Sequence, residues 1–225
     1  MLFFTGCKEP VEPDSSLDHF TKHLDKRVPE LLDYYNIPGT TITLIKNGEV
    51  TWTGRYGYQD LEDNKPVTSD TLFRAESITK SVVAWGVMNL VEEGKINLDD
   101  PIENYLTSWE LPETKFSEEN VTVRQLLSHS SGITGGLDRE LPGLEKQPLE
   151  EVLTGQHGLH KARLVREPGT SFEYSNQGYV ILEKIVKNVT DNTVDDYIKN
   201  SVIKLLDMND TTYTLNDKVQ SRHSC

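Results

Sequence analysis

The chain has 225 residues and carries 23 Lys and Arg against 36 Asp and Glu, a formal net charge of -13. Such acidity repels a phosphate backbone, and no basic cluster interleaved with aromatics offsets it, so nucleic acid is not an expected partner. A hydrophobic share of 36% and a charged share of 26% suit a globular chain with one good-sized core, and there is no internal repeat or low-complexity tract.

The opening "MLFFTGCKEPVEPDSS" reads either as a frayed start or as the tail of a bacterial lipoprotein signal. In the second reading Thr5-Gly6-Cys7 is the small-residue box before a lipid-modified Cys7, and the Pro/Ser/acid stretch is its tether. The basic region and longer apolar segment of a working signal are missing from the text. The other cysteine, Cys225, stands at the opposite end, so no disulfide framework or Cys-based metal site is expected. No other segment is apolar enough to span a membrane.

From Leu17 to Tyr35, Leu17, Phe20, Leu24, Val28, Leu31 and Tyr35 recur every three or four positions, which predicts an amphipathic helix bent or restarted at Pro29. "TTITLIKNGEVTWTGRYGY" alternates apolar and polar residues on both sides of Asn47-Gly48, a two-stranded hairpin. "SVVAWGVMNLVEEGK" reads as a buried helix closed by Gly94. "TVRQLLSHSSG" is a helix opened by a capping box of Thr122 and Gln125 and ended by Gly132. The stretch from Pro142 to Pro168 reads as irregular, and two further helices follow, the second starting at Thr193 and Asp196.

Chemistry concentrates at two places. In "RAESITKSVVAWG", Ser77 and Lys80 are three apart on one helical face, so the amine can reach the hydroxyl, and a serine in a first turn stands among free backbone N–H groups. A lysine so placed can act as a base or hold a neighbouring base ionised. Spacing alone is weak, because Ser201 and Lys204 in "NSVIKLL" match it inside an amphipathic helix. The second place is "EPGTSFEYSNQGYVILEKI", where Tyr174-Ser175-Asn176 precedes a helix. A phenol near a lysine can take a proton and an asparagine can bind an amide, although a plain helix N-cap also accounts for Ser175 and Asn176.

The wider text supplies context. "IPGTTITLIKNGEVTWTGRYGYQD", "LFRAESITKSVVAWGVMNLVEEGKINLDDPIENYL", "VTVRQLLSHSSGI" and "PGTSFEYSNQGYVILEKIV" resemble, in order, the class C β-lactamases and related penicillin-recognising serine hydrolases, which include D-alanyl-D-alanine peptidases and β-lactamase-like esterases. The likeness runs from about Leu17 to Tyr213. It implies an α+β fold, an antiparallel sheet with flanking helices plus a mostly helical subdomain. It also implies that Ser77 attacks a β-lactam, peptide or ester carbonyl, that Lys80 and Tyr174 share the proton work, and that Asn176 binds substrate. Tyr-Ser-Asn in place of Ser-Asp-Asn points to the class C side.

His129 in "LLSHSSGI" is then expected to support the core at a helix end. His157 and His160 lack a third ligand, so neither metal nor cofactor is expected. The expected partition is 1–15 as signal remnant and tether and 16–225 as an incomplete domain, with 16–68 the helix and hairpin and 69–213 mostly helical. The expected setting is the bacterial cell envelope, periplasmic or lipid-anchored. The family's third motif, Lys-Thr-Gly or His-Thr-Gly on a strand, has no match here. The alternative to an active hydrolase is therefore a catalytically incomplete fragment or pseudoenzyme, inactive or poorly soluble as it stands.

Overall fold

Asn47 and Gly48 both take positive φ, 54° and 81°, in the two-residue turn whose twist matches that of the strands it joins. This turn lies in a computed structural model that describes residues 13–135, 148–156 and 161–213, together with Val219 and Arg222. Cys7, His157, His160 and Cys225 lie outside the described residues. The chain divides into two compact units, Met1–Arg74 with Asn216–Cys225, and Ala75–Leu215.

In the first unit, β1 (Gly39–Lys46) and β2 (Glu49–Asp60) pair antiparallel as expected, with Ile42 opposite Gly54 and Leu44 opposite Trp52. A third strand, β3 (Lys65–Pro66), adds to the end of β2. Its two residues are too short to leave an alternating signature in the sequence. The helix α1 (Pro13–Tyr35) runs through Pro29 as one element rather than restarting there.

The buried face of α1 also differs from the expected one. Val28 and Leu32 are buried with Tyr56, and Leu24, Ile42 and Trp52 pack against them. Leu24, Val28 and Leu32 are spaced by four and form one row on the helix. The expected Phe20 and Tyr35 are 45% and 63% exposed. The Tyr56 hydroxyl donates to Asp25 Oδ1 at 2.8 Å and fixes the rotation of α1 on the sheet. Burial, with the Asp25 carboxylate beside it, pushes that phenol up to about 12.

The second unit is helical. The helix α2 (Thr79–Glu92) ends at Gly94 (φ 70°), as expected. It buries Val83, Gly86, Val87 and Leu90, but Trp85 and Met88 are exposed, so α2 is buried on one side rather than all round. Gly86 is required by a close approach, since a Cβ there would stand 2.5 Å from the Ile198 side chain.

The expected capping box opens α3 (Val123–Leu127): Thr122 accepts from the Gln125 N–H and the Gln125 side chain accepts in return from Thr122. This helix stops well before Gly132 because His129 takes a left-handed φ of 56°. A short helix, α4 (Leu149–Thr154), interrupts the stretch read as irregular.

Ser175 caps α5 (Asn176–Thr190), and Thr193 caps α6 (Val194–Ile198), which runs on as a π turn over Lys199–Ile203. The helix α5 is the centre of the core. Ile181, Leu182, Ile185 and Val186 are fully enclosed among Val83, Val87 and Leu90 of α2, Val123 and Leu126 of α3, and Leu153 of α4. Each such side chain contributes about 1.5–3 kcal/mol through burial. That core holds the starts of α2 and α5 in fixed positions.

Candidate active site

Ser77 lies in a 3-10 turn (Glu76–Ile78) that leads directly into α2, close to the helix-start position expected of it. Glu76, the residue before, takes φ 45°, a left-handed conformation that costs a non-glycine residue about 1–3 kcal/mol and that concentrates at functional sites. Ser77 is exposed and Lys80 half-buried in the first turn of α2. The Lys80 ammonium donates to Ser77 Oγ at 3.4 Å.

Tyr174 reaches the same hydroxyl from 97 positions along the chain: its phenol donates to Ser77 Oγ at 2.8 Å. The Lys80 ammonium stands 4.9 Å from the Tyr174 ring centroid. Burial pushes the phenol up, but hydrogen bonds with Lys80 and Ser77 and the positive charge of Lys80 outweigh it and leave Tyr174 below its ordinary value. When Tyr174 is ionised the hydrogen bond runs the other way, from the Ser77 hydroxyl to the phenolate.

The structure therefore brings Ser77, Lys80 and Tyr174 together. Asn176 begins α5 and its N–H donates to Gly135 O at 2.9 Å. Among the described residues its carboxamide hydrogen-bonds none of the other three. Ser175 does act as the helix cap, accepting from the Gly178 N–H at 2.9 Å and donating to Thr134 O at 2.8 Å. The competing Ser201 and Lys204 do not meet: Ser201 donates to Tyr197 O and Lys204 to Asn200 Oδ1, each at 2.7 Å.

Two residues behind the site were not singled out from the sequence. The Tyr179 ring lies 5.7 Å from the Lys80 ammonium, and its hydroxyl donates to Leu127 O at 3.1 Å. Glu183 accepts from the Tyr213 hydroxyl. Burial pushes the Glu183 carboxyl up to about 7, against the pull of Tyr213 and of the Lys80 charge. Ser175, Tyr179 and Glu183 recur every four residues, and that spacing along one face of α5 was the signal available for finding them. No group of His, Cys, Asp and Glu suited to a metal ion occurs among the described residues.

An exposed serine with a lysine and a tyrosine converging on its oxygen, at the start of a helix buried along one side, is the arrangement of a serine hydrolase. Residues 24–224 match the model of the Beta-lactamase family. The chain belongs to the beta-lactamase family, a family of serine hydrolases that act on small molecules and include penicillin-binding proteins. It is 31% identical over 192 residues to Protein flp of Staphylococcus aureus, covering 85% of this chain and 38% of that protein.

Among solved structures, the octameric penicillin-binding protein homologue from Pyrococcus abyssi matches with a TM-score of 0.76 and 33% identity, over 91% of this chain and 47% of that one. The D-amino acid amidase from Ochrobactrum anthropi SV3, complexed with L-phenylalanine amide, matches with a TM-score of 0.69 and 28% identity, over 90% and 57%. The expected α+β class holds. The chain spans about two-fifths of the length of the curated relative.

Proposed function

We propose that this chain carries the nucleophile segment of an acyl-transferring serine hydrolase that acts on β-lactams or on D-alanyl peptides and esters. The observation that carries the reading is the convergence of Tyr174 and Lys80 on Ser77 Oγ from separate segments. Tyr174, whose phenol the Lys80 charge helps to ionise, takes the Ser77 proton in its phenolate form as Oγ bonds to the carbonyl carbon. The proton then passes to the departing nitrogen or oxygen, leaving an acyl-Ser77 ester. Water, deprotonated through Tyr174, attacks that ester, and the proton returns to Ser77 as the acid leaves. Asn176 offers its carboxamide to the substrate amide.

The test is labelling with a fluorescent penicillin. The wild-type chain is expected to form a covalent adduct that Ser77→Ala abolishes. A wild type without adduct, or a Ser77→Ala variant that labels equally well, overturns the assignment and favours the catalytically incomplete fragment. Turnover of a chromogenic cephalosporin, a D-alanyl dipeptide ester and a short acyl ester then ranks the substrates. We also propose Cys7 as a lipid attachment point in a bacterial envelope, to be tested by alkynyl fatty-acid incorporation in wild type against Cys7→Ser.

A further inference from the structure

His129 is the residue of the "LLSHSSG" segment that the proposed chemistry does not use, yet it touches the chain on both sides of Tyr174. Its backbone carbonyl accepts from the Glu173 N–H at 2.8 Å. Its ring Nδ1 accepts from the Ser175 N–H at 3.1 Å. Between these two bonds the imidazole packs on the Tyr174 ring itself, with centroids 4.5 Å apart and planes tilted by 34°. Its outer side meets Phe172 edge-on at 5.9 Å, and Tyr179 lies 5.1 Å away. A residue held at φ 56° to make such contacts is overdetermined by its surroundings.

We propose that His129 is a positioning residue for Tyr174: its backbone carbonyl holds the Glu173 N–H, its neutral imidazole holds the Ser175 N–H and packs on the phenol ring to seat it on Ser77, and protonation of the ring releases the Ser175 end of this grip. The proposal rests on the reading of Ser77 as nucleophile. An Nδ1 that accepts from Ser175 leaves the neutral proton on Nε2. In the imidazolium both nitrogens are donors, so Nδ1–H would face the Ser175 N–H donor to donor.

The titratable groups that face the ring are Lys80 from α2, Tyr174 from the preceding loop and Tyr179 from α5, while Glu173 is committed to an ion pair with Arg166. Burial, and then the Lys80 charge, hold His129 below its ordinary value, which keeps the grip closed at neutral pH. The grip is therefore lost on the acid side.

The test compares wild type, His129→Asn and His129→Ala in penicillin acylation from pH 4.5 to 8, with the Ser175 amide followed by ¹⁵N NMR. Asn tolerates the left-handed backbone and places Oδ1 near the position of Nδ1, without titrating. Wild type is expected to show an acid limb whose midpoint matches the titration of the Ser175 amide. His129→Asn is expected to acylate within about threefold of wild type at pH 7.5 and to lose that limb. His129→Ala is expected to acylate about tenfold or more slowly, with pre-covalent binding changed little.

A His129→Ala variant acylating at the wild-type rate, an acid limb that persists in His129→Asn, or a Ser175 amide indifferent to imidazole titration overturns the proposal. If wild type forms no adduct the nucleophile assignment fails, and the amide titration still decides the grip. If His129→Ala does not fold, His129→Asn and the amide decide it.

Discussion

Lys184 is 2% exposed, on the face of α5 turned toward α4, and its ammonium donates to Ser108 Oγ at 2.7 Å and to the Glu150 carboxylate. A buried cation left without its anion loses charge compensation it cannot recover from water. Removing one partner of a fully buried pair costs about 3–5 kcal/mol. The Glu150 side chain is 37% exposed, so screening reduces the expected cost of Glu150→Ala to about 2 kcal/mol. In a unit of this size that is a fall in Tm of about 4–8 °C.

Lys184→Met keeps the methylenes and deletes the charge, while Glu150 and Ser108 retain access to water. It should cost under about 1 kcal/mol, and Glu150→Ala in that background about 0.5 kcal/mol or less. Urea unfolding of the four chains of this double-mutant cycle measures the difference. Additivity within about 0.5 kcal/mol refutes the reasoning. There is also a pH signature. The hydrogen bond from Lys184 holds the Glu150 carboxyl below its ordinary value, against some desolvation. Its stabilisation is thus present above the unfolded pKa of about 4.3 and is lost as pH falls through the lower folded value.

Two further outcomes follow from the site. Tyr174→Phe removes the phenol that bonds Ser77 and is expected to slow acylation by ~10²–10⁴ while leaving thermal stability near wild type; a loss of threefold or less in stopped-flow acylation would exclude Tyr174 as the base. Glu183 has the opposite pH sign to Glu150. Its folded pKa of about 7 exceeds the unfolded ~4.3, so its contribution to stability is full below ~4.3 and declines as pH rises through about 7. In Glu183→Gln that decline should vanish from the Tm profile between pH 4.5 and 8, and an unchanged profile would place the carboxyl in water.

Local signals were legible wherever the physics is local. The Asn47-Gly48 turn, the Thr122 and Gln125 capping box, the Thr193 cap and the Gly94 stop all depend on residues within one turn of one another, and each forms as its sequence states. The Ser77 and Lys80 pair was legible too, as spacing on a helix face. The same spacing at Ser201 and Lys204 showed that sequence periodicity alone cannot separate a site from its imitation.

Tertiary structure distinguishes the two pairs, because the difference lies in what arrives from elsewhere in the chain. Tyr174 meets Ser77 across 97 residues, whereas Ser201 meets its own helix carbonyl. The buried row of α1 and the single buried side of α2 were settled in the same way, by which neighbours their faces packed against. His129 gives the sharpest case. Its sequence shows a histidine after a helix, and its backbone carbonyl, ring nitrogen and ring face become one grip only where the fold carries residues 173–175 onto them.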